Sequence, residues 1–246
     1  MTSVMVWRKN RKIPISYFIL LQVFKYIKQF KPDKIFIAAD GGSSWRKAIY
    51  PEYKANRKGF RDSFPDIDWN QVFADYNTLL QNIQSFTPIA VVHIPNIEGD
   101  DIISYICRYC PTETVVVSKD HDIQQLLALP YVSLYLVKPK NKSELLTGKT
   151  NDVLDDKIKN GDVSDNIPKA ESFSEAVRNE VLVDLFNLPK TIDLTIKNHI
   201  ESIKKAEDDG TFQTIYKFKF LNEVYPLLTK KEDSHGTGEN RNSSAS

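Results

Sequence analysis

Short apolar strand-like runs alternate with amphipathic helical stretches, and this alternation constrains the fold more than any other feature of the chain. Ile15 to Phe30 carries apolar residues at helical spacing, and "DKIFIAAD" (Asp33–Asp40) follows as a short apolar strand. The pattern then repeats. Ile67–Phe86 has helical spacing, "PIAVVHI" (Pro88–Ile94) reads as a strand, and "GDDIISYICRYC" (Gly99–Cys110) reads as a helix. "TVVVS" opens a further strand at Thr114, Ile123, Leu126 and Leu127 share one helical face, and "YVSLYLV" (Tyr131–Val137) is a last strand. Strands alternating with helices predict an α/β fold with a mostly parallel central sheet. Beyond about Thr150 the strands fade, and Ser172–Leu188 and Asp193–Glu207 look helical. The expected organisation is an α/β domain over residues 1–150, a helical subdomain over 151–229, and a polar, disordered tail over 230–246.

With 246 residues and 41% hydrophobic content, the chain can bury one sizeable core with a smaller appendage. The net charge of +1 makes any nucleic-acid surface a local patch. No apolar run reaches the roughly 18–20 residues of a membrane span. The N-terminus resembles a signal peptide only superficially, because Gln22 and Lys25 interrupt its apolar stretch. Cys107 and Cys110 lie in a helical pattern with no matching ligand cluster elsewhere. They read as two reduced cysteines in an intracellular, cytoplasmic protein.

Open parallel sheets bind ligands beyond the carboxyl ends of their strands. The Ile35–Ala39 strand ends at Asp40. The Ile89–Ile94 strand ends just before Glu98, Asp100 and Asp101. The Val115–Val117 strand ends just before Asp120 and Asp122. Helix capping explains some of these acids singly, but not Asp40, which precedes Gly-Gly and no helix, nor Glu98, a poor cap. Carboxylates crowded at one edge repel and raise one another's pKa values, and bound hard cations relieve this. An all-oxygen set suits two Mg²⁺ or Mn²⁺ ions, and such a pair serves phosphodiester hydrolysis. His121 reads as a surface or lining residue.

The segment Trp45–Arg61 follows Asp40 closely and carries Arg46, Lys47, Lys54, Arg57, Lys58 and Arg61 against one acid, Glu52. Trp45, Tyr50, Tyr53 and Phe60 are interleaved with them. Cations for phosphates and aromatic faces for unstacked bases are what single-stranded nucleic acid requires. Arg46, Lys47, Tyr50, Tyr53, Lys58 and Arg61 are the candidate nucleic-acid contacts.

Taken in order, "IAADGGSSWRKAIYPEYKANR", "EGDDIISYI", "VVSKDHDIQQL" and "KNGDVSDNIP" resemble the motifs of the flap-endonuclease-like 5′ nucleases of the PIN-like superfamily. The order of segments is nearest to the T-even phage ribonuclease H type. The resemblance implies a metal-dependent 5′–3′ exonuclease or flap endonuclease in primer removal or repair. It would act as a monomer on DNA with a 5′ single-stranded flap or on RNA–DNA hybrids, with replication proteins as candidate partners. It implies that Asp40, Glu98, Asp100, Asp101, Asp120 and Asp122 line the metal site, joined by Asp162 and Asp165 from "GDVSDN". Lys54 would stabilise the transition state electrostatically, and Arg57 would clamp the phosphate. The segment from Gly161 would open an element that grips duplex backbone, shortened because "KAESFSEAVRN" stands where a Gly-Ile-Gly hairpin often follows.

The family's first strand ends in an aspartate, whereas the first aspartate here is Asp33. That strand and one metal ligand are therefore expected to be missing, which would weaken activity. A catalytically impaired nucleic-acid-binding homologue is the first alternative, and a PIN-type ribonuclease is the second. A nucleotide-binding protein has no Gly-rich phosphate loop to support it.

Overall fold

The computed structural model describes residues 5–8, 11–139, 142–148, 153–204, 206 and 211–222; the tail over 230–246 lies outside them. Helix α1 (Ile15–Phe30) begins immediately after Pro14 and ends at Lys31, whose left-handed backbone returns its amide to the Ile27 carbonyl at 2.8 Å. Its buried residues, Leu20, Phe24 and Ile27, recur at the helical period. Ahead of it, β1 (Met5–Arg8) and β2 (Arg11–Pro14) form an antiparallel hairpin that the sequence reading did not anticipate.

Strand β3 (Phe36–Ala39) pairs in parallel with β4 (Ala90–His93), with Phe36 opposite Ala90. Successive side chains go to opposite faces. Ile35 and Ile37 join α1 and α3 (Trp69–Phe86) in one core, whereas Phe36 and Ala38 join α4 (Gly99–Tyr109) and α7 (Lys190–Ser202) in another. A second parallel pair, β5 (Thr114–Ser118) and β6 (Val132–Leu136), is extended by β7 (Glu144–Thr147), which runs antiparallel. Among the described residues the two parallel pairs are separate ladders rather than one continuous sheet. Helices tie them together. Tyr26 and Phe30 of α1 meet Tyr135 of β6 at ring-centroid distances of 5.6 and 5.4 Å, and Cys107 of α4 packs among Val116, Leu127 and Leu134.

The C-terminal residues complete cores begun by the first half. Phe212 of α8 (Thr211–Ile215) and Leu221 are buried with α1 and α3, and Ile196 of α7 is buried with α4. Leu182 and Val183 of α6 (Phe173–Val183) enclose Tyr53, together with Leu154 and Ile158 of α5 (Val153–Asn160). The stretch predicted as a helix after Asp122 is a 3-10 helix, Asp122–Ala128, and the Trp45–Arg61 loop holds a 3-10 turn and the short helix α2 (Arg57–Asp62). Among the described residues no helix is long and apolar enough to cross a membrane. Cys107 is buried, which pushes its thiol up to about 12, Cys110 is exposed, and neither forms a disulfide.

Candidate active site

Asp40, Asp100 and Asp120 lie near enough for their charges to act on one another, and Asp122, Asp162 and Asp165 form a closer group. Asp40 leaves β3 into Gly41, where a Cβ would sit 1.8 Å from the Ile94 carbonyl oxygen; only glycine lets the chain turn so close to the segment after β4. The turn aims Asp40 at α4, and its Oδ1 accepts the Gly99 amide at 2.8 Å. Asp40 is therefore a helix cap after all, supplied from across the site rather than from the preceding residue. Asp120 likewise uses Oδ1 to accept the Asp122 amide at 2.9 Å. Asp100, in the first turn of α4, feels both. Burial, then the charges of Asp120, Asp40 and Glu98, push its carboxyl up to about 7, with Lys54 opposing. Asp40, Asp100 and Asp120 form no ion pair among the described residues.

The second group is Asp122, Asp162 and Asp165, whose nearest oxygens all lie within 4.8 Å of one another. Asp162 and Asp165 come from a tight loop closed by the Asp162–Ile167 bridge. Gly161, at φ 75°, lets this loop leave α5, because a Cβ there would meet the Ile167 carbonyl at 2.3 Å. The loop docks on the basic segment through backbone. The Lys54 amide donates to the Asp165 carbonyl at 2.8 Å, Asn166 Nδ2 donates to Glu52 O at 2.7 Å, and Asn56 Nδ2 donates to Val163 O at 2.9 Å. Lys54 takes a left-handed φ of 56°, a costly conformation for lysine that this docking holds in place.

Several residues expected to contact nucleic acid face inward instead. Arg46 is 3% exposed. Its guanidinium contacts Asp101 at 2.7 and 3.0 Å, Glu98 at 2.8 Å and the Leu182 carbonyl at 2.7 Å. Burial pulls its pKa down, but Asp101, with Tyr53 and Glu98, more than offsets that and raises it. Asp101, fully buried, also accepts the Trp45 indole at 2.9 Å, so it is engaged behind the site rather than presented within it. A charge so buried must be paired, and this geometry removes both Arg46 and Asp101 from contact with a ligand. Tyr53 is buried too, with its hydroxyl 3.1 Å from Glu98 and from Asp165. Tyr50 is half-buried under the Arg178 guanidinium. Lys47 is exposed, and the side chains of Lys58 and Arg61 lie outside those described.

Cations fill the remaining acids. Lys54 pairs with Glu98 and lies 3.5 Å from Asp165, and Arg57 reaches Asp165 at 2.8 Å. Burial would raise Glu98, but Lys54 and Arg46 hold it below the usual carboxylate range. Lys157, which the sequence reading did not single out, pairs with both Asp122 and Asp162. Its signal was its place in the last turn of α5, just before Gly161-Asp162. His121 is exposed, with Nδ1 2.9 Å from Gln124 Nε2.

Comparison with known proteins decides the family. Residues 4–156 match the family described as 5′-3′ exonuclease, N-terminal resolvase-like domain. The chain belongs to the 5′-3′ exonuclease family. A 5′-3′ exonuclease of Mycoplasmopsis pulmonis is 27% identical over 237 residues, covering 91% of this chain and 77% of that protein. Ribonuclease H of Enterobacteria phage T4 is 26% identical over 147 residues, covering 58% of this chain and 48% of the phage protein. The solved T5 5′-exonuclease with divalent metal ions (zinc) shares the fold, with a TM-score of 0.58 and 17% identity over 78% of this chain and 92% of that one. Enzymes of this 5′-3′ exonuclease family are hydrolytic nucleases, and the acidic cluster of this member fits a divalent cation. The donors are all carboxylates, and the Lys157 ammonium already bridges two of them as a cation.

Two outcomes follow. Replacing Arg46 by Met strands Asp101 in the core and should destabilise the protein by about 3–5 kcal/mol in denaturant unfolding; a loss of nucleic-acid affinity at unchanged stability would refute the inward assignment. Because the folded-state pKa of Asp100 lies above its unfolded value, its stabilisation is present at low pH and is lost as pH rises toward about 7. In a chelating buffer, Asp100→Asn should therefore unfold at a higher temperature than the wild type near about pH 8, with the gap closing near about pH 5. Parallel pH profiles would contradict this.

Proposed function

We propose that this chain hydrolyses phosphodiesters from the 5′ side of DNA flaps, or of the RNA strand in RNA–DNA hybrids, during primer removal or repair. What supports this most is the convergence of Asp40, Asp100 and Asp120 beside Asp122, Asp162 and Asp165, with Lys54 and Arg57 at the same rim. Asp40, Asp100 and Asp120 would hold one Mg²⁺ or Mn²⁺ and the other three a second, with Glu98 between them. Such a pair of ions supplies an acidified water and stabilises the attacking and leaving oxygens.

The chain's own groups do the rest. Water adds to phosphorus, the bond to the 3′ oxygen breaks, and the product keeps a 5′-phosphate. Arg57, with 56% of its side chain exposed, can exchange Asp165 for a phosphate at little cost and clamp it in bidentate fashion. Lys54, held by a strained backbone and a buried tyrosine ring 4.9 Å from its ammonium, can meet the charge that develops on the phosphate. Lys47 is the remaining exposed cation on the 3-10 turn after Asp40, placed to track a single strand.

A 5′-flap substrate with Mg²⁺ or Mn²⁺ tests this reading. Cleavage releasing 5′-phosphate ends is expected, and binding without turnover under either ion would leave a nucleic-acid-binding homologue instead. Asp120→Asn with Asp122→Asn should abolish cleavage while binding persists or tightens; full-rate cleavage by that variant would place the site elsewhere. Lys54→Ala should lower kcat by about 10²-fold or more with little change in Kd, and equal losses in both would reduce Lys54 to a phosphate anchor.

A further inference from the structure

The role of Lys157 remains. Its ammonium lies between Asp122 and Asp162, two of the three acids of the second cluster, and all three side chains are shielded, at 19%, 18% and 9% exposure. Burial lowers its pKa, but the two carboxylates more than compensate and raise it, so the group stays charged. The carboxylates respond unequally. Burial raises Asp122, with Lys157 opposing only in part. Asp162 is held below its usual range despite burial by Lys157 and by Ser164, whose amide and hydroxyl donate to Oδ1 at 2.8 and 2.7 Å. Lys157 thus bridges the two acids, hydrogen-bonded at Asp162 and paired with Asp122 Oδ1. A single ammonium carries one positive charge and cannot neutralise three carboxylates. Asp165 looks instead to Lys54, Arg57 and Tyr53.

We propose that Lys157 is a built-in stand-in cation. It holds the second acid group together while no divalent ion is bound and is displaced, still protonated, when one enters. No bond to a proton or carbon changes; one cation replaces another among the same oxygens. Lys157 is a positioning residue in this account. Its seat in the last turn of α5, a helix anchored by Leu154 and Ile158 against Leu182 and Val183, keeps it within reach of the acids while its stem swings. The displacement makes ion entry a competition. Apparent affinity at the second position is set by the difference between a divalent ion and the lysine, not by the ion alone.

This rests on the reading of Asp122, Asp162 and Asp165 as an ion-binding group, and the test separates the two. Titration calorimetry of the full chain with Mn²⁺ alone should show an equivalent that Asp162→Asn abolishes; if that variant loses none, the ion-binding reading fails and the inference falls with it. Given that equivalent, Lys157→Met should bind it about tenfold more tightly than the wild type, and Lys157→Arg, which keeps the charge, should not. Unchanged or weaker binding by Lys157→Met overturns the proposal. A second measurement needs no variant. Acetylation of lysines read by mass spectrometry should be slow at Lys157 in chelating buffer and several-fold faster in saturating Mn²⁺. A rate that stays the same or falls would mean that the ammonium never leaves, and the proposal is refuted.

Discussion

Repulsion among carboxylates at one rim is the constraint around which this molecule is organised. Two unit charges within 4.8 Å of each other, as in the Asp122–Asp162–Asp165 group, oppose folding by at least about 3 kcal/mol at the effective dielectric of a protein surface. The protein answers with cations of its own. Arg46 takes Asp101 and Glu98, Lys54 takes Glu98 and Asp165, Arg57 takes Asp165, and Lys157 takes Asp122 and Asp162. The basic segment after Asp40 is thus as much a set of counter-charges as a surface for nucleic acid.

The same pairing explains why the late loop belongs to the site although more than a hundred residues separate it from its partners. Asp165 touches Arg57, Lys54 and Tyr53 by side chain, and its carbonyl receives the Lys54 amide. One backbone bond, from Lys54 to Asp165, and the side-chain amides of Asn166 and Asn56 on backbone carbonyls seat the loop. Tyr53 sits at the hinge of this arrangement, its ring in the core formed with Ile167, Leu182 and Val183 and its hydroxyl on two acids. Packing of the C-terminal helices therefore reaches the acids through the Tyr53 ring as well as through Lys157 of α5.

Much of this was legible because it depends on local pattern. The helix Ile15–Phe30 and the strands ending at Asp40, near Glu98 and near Asp120 follow from hydrophobic period and length. What escaped depends on long-range pairing. Arg46 reads as an exposed cation among aromatics until Asp101, 55 residues later, is seen to neutralise it inside the core. Asp40 reads as no cap because its helix is not the next element; the capped amide is Gly99, 59 residues on. Lys157 lies in a lysine-rich helix end with no motif to mark it, and only the fold shows which of Lys157 and Lys159 turns to the acids. The β1–β2 hairpin and β7 (MVWR, RKIP and ELLT) lack the continuous small and β-branched apolar run that marks β3 and β4.

The two acid groups solve the same electrostatic problem by different means, and this difference has consequences for how ions enter. Asp40, Asp100 and Asp120 have no ion-pair partner among the described residues, and burial with the charges of Asp120, Asp40 and Glu98 pushes Asp100 up to about 7. On the proposed reading an ion entering there would compete with a proton, and its affinity would rise with pH through the neutral range. Asp122, Asp162 and Asp165 are instead paired with Lys157, Lys54 and Arg57, so an ion entering there would compete with side chains. On the proposed reading the first position would be coupled to pH, and the second to the conformations of Lys157 and Arg57. A phosphate drawing Arg57 away from Asp165 would strip one counter-charge from the second group and favour an ion in its place. Substrate and second ion would then strengthen each other's binding through one shared carboxylate.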